Sequence, residues 1–281
     1  MRLGDVEVVP VLEWEGDLGP ARVVIPDSPA ELWRENEDWL APDYWTPATD
    51  GYHAVLRTWL LRSAGRVILV DTGVGNDRDR PQFPLFSGLH TDFLSRLAAA
   101  GVRPGDVDVV VNTHIHIDHV GWNTHLAGGE WVPTFPNATY LIPRVDQEYY
   151  AHEERGANIY ADSIAPVLSQ ALLWEDAHRI DAGLTLEPAP GHTPGASLVR
   201  LASGADRAVF VGDLLHSPVQ ILRPRYSSCF DENPRQAAAT RRRVLERAAD
   251  ERELVIPAHF AGHPAAEVSR AGAGFAISRW A

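Results

Sequence analysis

Short apolar runs recur along this 281-residue chain in a pattern that indicates β-strands. Runs rich in Val, Ile and aromatic residues predict strands because these side chains pack well on a pleated sheet. A first group of predicted strands covers 6–12, 53–61, 67–70, 107–112 and 139–142. A second group covers 184–188, 197–201, 208–211 and 254–257, and the pattern predicts that 254–257 is the final strand.

Helical periodicity fills several of the gaps between these strands. The clearest predicted helix spans 233–252, with Asn233 as its N-cap and Pro234 at the first helical position. Three more helices are predicted at 93–100, 146–152 and 163–174. Strands in two groups, each followed by helices, predict a layered α/β fold in a single domain of residues 1–281.

The segment between the first two strands has a different composition. Residues 27–50 carry seven acidic residues against one arginine, together with Trp33, Trp39 and Trp45. This composition predicts a short helix and an irregular arm or lid at about 20–52. Two interpretations of the tryptophans remain open: they fill gaps in the core, or they line a pocket or a dimer interface. An arm of this kind would suit a homodimer.

Charge and cysteine content exclude several classes of function. The formal net charge is −13, and the nearest basic run, Arg241-Arg242-Arg243, lies inside a predicted helix. Nucleic acid and anionic membranes are therefore not expected partners. Cys229 is the only cysteine, which excludes an internal disulfide and a cysteine-rich zinc site. The sequence lacks a signal-peptide pattern and an apolar stretch of about 20 residues, so a cytoplasmic protein is expected.

The segment 113–119 reads Thr-His-Ile-His-Ile-Asp-His and places three imidazoles and one carboxylate within six positions. It follows the largely apolar run 107–111, so a buried strand would hold it on a rigid base. Neutral imidazole and carboxylate groups are ligands of Zn²⁺, Mn²⁺ and Fe²⁺. The pattern therefore predicts a metal site at the end of this strand.

Three more candidate ligands stand where predicted strands end. His192, Asp213 and His259 each follow a predicted strand of the second group. Loops at strand ends are where a rigid sheet presents its functional side chains. Their shared placement favours a role as metal ligands over that of ordinary polar loop residues.

The ordered set His-x-His-x-Asp-His, then His, Asp and His, preceded by Asp71-Thr72-Gly73, resembles the metallo-β-lactamase superfamily from about residue 53 to residue 260. The resemblance implies a four-layer αββα sandwich with its metal ions at one edge. One ion would be held by the side chains of His114, His116 and His192. The other would be held by Asp118, His119 and His259, with Asp213 as a bridge. Asp71 would lie behind a ligand histidine and accept its second ring hydrogen.

The same resemblance points to the lactonase and methyl parathion hydrolase-like branch. It implies a binuclear metal-dependent hydrolase, in which a hydroxide bridging two ions about 3.5 to 4 Å apart cleaves a lactone or carboxylic ester. The substrate would be a small uncharged organic molecule. Zinc is the first expectation, and iron, manganese and cobalt accept the same ligands.

Asp118 and His216 are the candidate catalytic groups. The carboxylate of Asp118 would pass a proton to the leaving alkoxide. The ring of His216 would donate a hydrogen bond or a proton to the developing oxyanion or the leaving group. Acyl-homoserine lactonases commonly carry tyrosine at this position, whereas the methyl parathion hydrolase-like group carries histidine.

Other functions stay open at this point. A phosphotriesterase or thioesterase would use the same hydroxide, and a mononuclear iron dioxygenase acting on a thiol or persulfide would use some of the same ligands. A non-catalytic sensor would keep the ligands without turnover. His116 disfavours a flavodiiron protein, which often carries glutamate there, and Asp213 disfavours a true β-lactamase.

Overall fold

The structure, a computed structural model, describes residues 1–154 and 156–281. The chain forms two compact units. Unit 1 comprises Met1–Trp14 and Leu56–Pro188, and unit 2 comprises Glu15–Val55 and Ala189–Ala281. The tryptophan-rich segment therefore belongs with the C-terminal part of the chain.

Strands carry most of the regular structure, and short helices join many of them. The strands, in chain order, are β1 (Arg2–Leu3), β2 (Val6–Pro20), β3 (Trp45–Thr46), β4 (Gly51–Ser63), β5 (Arg66–Val70), β6 (Val109–Val111), β7 (Thr124–Ala127), β8 (Glu130–Pro133), β9 (Thr139–Pro143), β10 (Ala171–Trp174), β11 (His178–Arg179), β12 (Leu184–Pro188), β13 (Ser197–Ser203), β14 (Asp206–Gly212), β15 (Leu254–Pro257), β16 (Ala266–Ala271) and β17 (Gly274–Trp280). The α-helices are α1 (Ala21–Val24), α2 (Ala30–Arg34), α3 (Glu37–Leu40), α4 (Phe93–Ala99), α5 (Arg144–Tyr150), α6 (Ala157–Ile159), α7 (Val219–Leu222) and α8 (Pro234–Glu251). Over the described ranges, none of these helices has the length and apolar character needed to cross a bilayer.

The sheet that contains most strands of unit 1 has the strand order β1-β2-β4-β5-β6-β9-β10, and parts of β2 and β4 belong to unit 2. Its strands β5, β6, β9 and β10 run parallel to one another. All three valines of β6 are buried, as expected for a central parallel strand that is covered on both faces. The core of this unit includes Phe93 and Leu97 of α4, which share one helix face because they are four positions apart. Since parallel strands end at the same edge, the loops that follow them lie together there.

In unit 2, strands β13 to β17 pair in sequence order. Strands β14 and β15 are parallel, whereas the other neighbours are antiparallel. Asn233 Oδ1 accepts a hydrogen bond from Gln236 N at 3.1 Å, which confirms Asn233 as the N-cap of α8. The buried residues of α8 recur at the three- and four-residue spacing of an amphipathic helix. They are Ala237, Thr240, Arg241, Val244, Leu245 and Ala248.

The tryptophan-rich segment contributes to the core of unit 2. Trp33 is fully buried, and its indole Nε1 donates a hydrogen bond to Ser28 Oγ at 2.8 Å. The ring of Trp45, which is also buried, lies 5.8 Å from that of Trp33. Trp39 is more exposed than either of them. Trp33 and Trp45 thus fill core space, and a lid function of the segment stays a prediction.

The predicted helix at 163–174 is wrong as a continuous helix. Residues Ala165–Gln170 form a 3-10 helix, and the following residues form β10, which pairs in parallel with β9. The backbone groups of β10 form hydrogen bonds with β9, which lies far earlier in the chain. Local periodicity does not reveal this pairing, and here the tertiary context overrides the helical pattern.

The prediction of 254–257 as the final strand is also wrong. Strands β16 and β17 follow it as an antiparallel hairpin, in which Ala271 pairs with Gly274. Gly272 at the turn has a φ of +55°, a conformation that favours glycine. The register shifts between Glu267 and Val268. This irregularity interrupts the two-residue period by which a strand is predicted from sequence.

Trp33 offers a test of the unit 2 core. Trp33→Ala removes a fully buried indole, so we expect it to lower the free energy of unfolding by about 3–5 kcal/mol. Val23→Ala is the control, because Val23 lies in the same segment and is 60% exposed, and it should change that free energy by less than about 0.5 kcal/mol. Urea unfolding followed by circular dichroism measures both. Equally small losses would contradict the core position of Trp33.

Candidate metal centre

The histidine motif lies at the carboxyl edge of the unit 1 sheet, just after β6. Asp71 follows β5, and Asp146 stands in α5 after β9, so both carboxylates reach the same edge. Thr113 N donates to Asp71 Oδ1 at 2.7 Å, and Ile115 N donates to Asp146 Oδ2 at 3.1 Å. Two buried carboxylates therefore fix the backbone that carries the histidines.

His119 is held through both its ring and its backbone. Its Nδ1 lies 2.8 Å from Asp71 Oδ2, and its side chain is 1% exposed. Its carbonyl oxygen accepts hydrogen bonds from Thr72 N at 2.8 Å and from Asn112 Nδ2 at 3.3 Å. A carboxylate behind Nδ1 orients the ring so that Nε2 carries the lone pair. The prediction that Asp71 lies behind a histidine of the motif is confirmed.

The other ionisable side chains of the motif lie beside His119. His114 Nε2 is 3.1 Å from His116 Nδ1. Ile115 between them is fully buried in the core of unit 1, which anchors this part of the motif. Asp118 keeps 17% of its side chain exposed, and its Oδ2 lies 3.7 Å from His119 Nε2. The motif thus gathers three imidazoles and a carboxylate in unit 1.

The loop after the motif is fixed by a buried arginine. Arg78 donates through Nη2 to the carbonyl oxygens of Gly121 and Thr124, the latter at 2.6 Å. Its Nη1 lies 2.9 Å from Asp162 Oδ1, and Arg80 forms a second ion pair with the same carboxylate at 2.7 Å. Both arginine side chains are fully buried. Side-chain donors therefore hold the chain that leads away from the motif.

In unit 2, the predicted ligands lie at the ends of neighbouring strands. Asp213 follows β14 directly and His259 stands two residues after β15. These parallel strands end side by side, with Gly212 opposite Pro257. His192 precedes β13, which is antiparallel to β14, so it reaches the same edge.

The carboxylate of Asp213 stands among three imidazoles. Its Oδ1 lies 2.8 Å from His259 Nε2. Its Oδ2 lies 3.4 Å from His192 Nε2 and 3.2 Å from His216 Nε2. One carboxylate therefore faces the same ring atom, Nε2, of each histidine.

The tautomer of His259 indicates that a proton or a cation lies between its ring and Asp213. His259 Nδ1 lies 2.9 Å from Val55 O. A carbonyl oxygen only accepts hydrogen bonds, so Nδ1 carries the hydrogen, and the lone pair of the neutral ring is directed at Asp213. Two lone pairs come so close only with a proton or a cation between them. Imidazole and carboxylate donors fit a divalent cation of the zinc type.

The carboxylates around His192 also favour a positive charge at this place. His192 Nδ1 lies 3.0 Å from Asp231 Oδ1. Burial lowers the pKa of His192, but hydrogen bonds to Asp213 and Asp231 and the charges of both carboxylates raise it to about 9. Burial raises the pKa of Asp231, but its hydrogen bond to His192 and the charges of His192 and Arg241 bring that pKa below its ordinary value. The two carboxylates thus favour positive charge beside the His192 ring, which either a proton or a bound cation can supply.

His216 is buried beside these groups, and its backbone is fixed from two sides. Its N–H donates to Gln220 Oε1 at 2.7 Å, and its carbonyl oxygen accepts a hydrogen bond from Tyr52 Oη at 2.6 Å. Burial lowers the pKa of its ring, against the raising effect of the Asp213 charge.

The seven predicted ligands fall into two clusters, and their role as ligands stays a proposal. The cluster of unit 1 comprises His114, His116, Asp118 and His119, and that of unit 2 comprises His192, Asp213 and His259. Sequence reasoning missed several residues that hold these clusters in place. They are Tyr52, Arg78, Asn112, Asp162, Gln220, Asp231 and Arg241. Asn112 and Asp231 contact cluster residues directly, and the others hold neighbouring backbone or side chains, as Tyr52 holds the carbonyl of His216 across 164 positions; no local motif marks them.

A family profile described as the metallo-beta-lactamase superfamily matches residues 57–259. The chain belongs to this superfamily. Among its metallo-β-lactamase relatives is the N-acyl homoserine lactonase AttM of Azorhizobium caulinodans, 33% identical over 118 residues, which cover 38% of this chain and 41% of that protein. An N-acyl homoserine lactonase of a Bacillus species is 26% identical over 149 residues, which cover 49% of this chain and 54% of that protein. The matches thus span about half the length of these relatives or less.

Solved structures share the fold of this metallo-β-lactamase chain over its whole length. A probable metal-dependent hydrolase from Staphylococcus aureus has a TM-score of 0.84 at 19% identity, covering 100% of this chain and 98% of that one. The dizinc quorum-quenching lactonase AidC has a TM-score of 0.82 at 20% identity, covering 100% and 96%. The predicted α/β metallo-β-lactamase fold is confirmed.

Asp71→Asn tests the acceptor behind His119. The amide keeps the shape of the side chain but removes the charge, so we expect the affinity for zinc to fall about 10- to 100-fold. Competition with a chromophoric chelator measures this affinity on folded, metal-free protein. Asp92→Asn is the control, because the Asp92 side chain is 59% exposed. Equal zinc affinity in the two variants would show that Asp71 does not support a ligand.

Proposed function

We propose that this chain is a hydrolase that holds two divalent metal ions and cleaves a lactone or a carboxylic ester. One observation carries the proposal: in His119, His192 and His259, an acceptor lies behind Nδ1. Nε2 is then the ring atom that serves as a ligand. Ordinary surface histidines have no need of such buried acceptors.

The proposed ligands sort into two sets that could each hold an ion. The first set is His114, His116, His192 and Asp213, and the second is Asp118, His119, Asp213 and His259. Asp213 belongs to both sets, so we assign it as the bridge. The ions are proposed to be zinc, because imidazole and carboxylate suit it, although iron, manganese and cobalt accept the same donors.

Two divalent ions bound there would supply a hydroxide at neutral pH and would polarise the carbonyl oxygen of the substrate. The residues of the chain then have separate tasks. Asp118 takes the proton of the nucleophile and delivers it to the leaving alkoxide, and its partial exposure lets it meet the substrate. We assign the buried ring of His216 as the donor of a hydrogen bond to the developing oxyanion.

The substrate class is supported by the relatives and by the charge of the chain. The curated relatives are named as lactonases of N-acyl homoserine lactones, which are small organic molecules. A net charge of −13 disfavours polyanionic substrates. We therefore propose that the substrate is a small uncharged lactone or carboxylic ester.

Metal removal and a substrate panel test this proposal directly. Protein stripped with a chelator should lose hydrolysis, and activity should return as two zinc ions per chain are added back. The panel contains lactones, aryl esters, thioesters and phosphotriesters, and we expect turnover of the first two. Metal analysis by mass spectrometry gives the stoichiometry. One iron per chain with oxygen consumption, or hydrolysis of phosphotriesters alone, would overturn the proposal.

Asp118→Asn tests the proton carrier. The amide cannot accept the proton, so kcat should fall about 10²- to 10⁴-fold. His125→Gln is the control, because His125 lies close in sequence but belongs to neither ligand set, and its kcat should match that of the unmodified protein. Steady-state kinetics on the fully metal-loaded proteins measures both. A kcat for Asp118→Asn within a factor of about three of the unmodified value would exclude this role.

A further inference from the structure

Arg241 is a fully buried cation in the middle of α8, outside the proposed ligand sets. Its Nε donates to Leu214 O at 2.6 Å. Its Nη1 donates to the carbonyl oxygens of Pro224 and Tyr226, each at 2.9 Å. Its Nη2 donates to Asp231 Oδ2 at 3.2 Å. A buried charge is tolerated only when it is paired and hydrogen-bonded, and here four acceptors surround one planar group.

Two of these acceptors, Leu214 O and Asp231 Oδ2, belong to residues that adjoin or contact a proposed metal ligand. Leu214 is the neighbour of Asp213 in the chain, so its carbonyl fixes the backbone at that carboxylate. Asp231 uses its other oxygen, Oδ1, to hold His192 Nδ1 at 3.0 Å. One guanidinium group thus contacts the backbone beside one ligand and the side chain behind another.

We propose that Arg241 is a positioning residue that sets the spacing and orientation of His192 relative to Asp213, and thereby the affinity of the first ligand set for its metal ion. This inference rests on the proposed function, because it requires that an ion binds there. Arg241 contacts neither the ion nor the substrate. It acts through Leu214 and Asp231.

The rest of α8 supports the loop that carries His192. Thr240 Oγ1 donates to Pro190 O at 2.8 Å. Gly191 packs so closely on the helix that a Cβ on it would lie 2.3 Å from Ala237 N. The backbone before His192 is therefore fixed on the same helix that carries Arg241. A shift of this helix would move the ligand loop and the guanidinium group together.

The shape of the acceptor set explains why arginine is required. Arginine offers five N–H donors in a rigid planar fork, whereas lysine offers three donors on one atom. The acceptors of Arg241 lie around the plane at Nε, Nη1 and Nη2. A lysine at this position keeps the charge but offers one nitrogen atom in place of the three that Arg241 uses.

The test compares Arg241→Lys with Val244→Ala, a matched control. Val244 is 2% exposed on the same helix and belongs to the apolar core, so its truncation should lower the melting temperature without changing the ligands. Metal-free proteins are titrated with Co²⁺, and both the dissociation constants and the visible absorption spectrum are recorded. We expect Arg241→Lys to weaken one of the two Co²⁺ sites about tenfold or more and to change its spectrum. Val244→Ala should leave both unchanged.

Asp231→Asn provides a second variant, which removes the charge of Asp231 but keeps its shape. It should weaken the same Co²⁺ site, and the double variant with Arg241→Lys should be weakened by less than the product of the two single fold-changes. Fold-changes that multiply would show that Arg241 does not act through Asp231. If Arg241→Lys does not fold, Asp231→Asn alone decides the point, since unchanged affinity and spectrum would overturn the proposal.

The outcomes separate this inference from the proposed function. Co²⁺ binding that is identical in Arg241→Lys and Val244→Ala would overturn the role of Arg241 and leave the hydrolase proposal intact. Weakened binding in Arg241→Lys, together with no hydrolysis across the panel by the loaded unmodified protein, would support the role of Arg241 and refute the hydrolase. An unmodified protein that binds no divalent ion would refute both.

Discussion

A histidine can direct Nε2 at a cation only when another atom accepts the hydrogen on Nδ1, and both clusters depend on this constraint. The acceptors are Asp71 for His119, Asp231 for His192 and the carbonyl oxygen of Val55 for His259. Each acceptor lies far along the chain from its histidine. The fold therefore has to bring distant strand ends together before any ring can hold one tautomer and one direction.

The acceptors bring a second requirement, because a buried carboxylate needs donors of its own. Asp71 accepts hydrogen bonds from the backbone N–H of Thr113 at 2.7 Å and from its hydroxyl group at 2.8 Å. Asp231 accepts one from Ser228 N at 3.0 Å and a charged one from Arg241. Such networks become rigid when every member is satisfied. The polar groups behind the proposed ligands thus form part of the structural core.

The sequence predicts what is local and misses what is long-range. The motif 113–119 and the run that becomes β6 can both be recognised because their residues are contiguous, and the N-cap at Asn233 follows from a short-range rule. Strand β10 was mistaken for helix because its partner β9 lies about 30 positions earlier and no local period reports that pairing. Asp231 and Tyr52 were missed for the same reason. They matter because each contacts a histidine that is distant in the sequence and close only in the folded protein.

The contacts of Arg78 have a consequence for the behaviour of the histidine motif in solution. Arg78 is fully buried and the side chain of Asp162 is 11% exposed, so dissolved ions have little access to this pair. Screening by salt acts mainly on exposed charges. The carbonyls of Gly121 and Thr124 that Arg78 holds should therefore keep their places at high salt concentration as in dilute buffer, and the loop after the motif should be equally rigid in both.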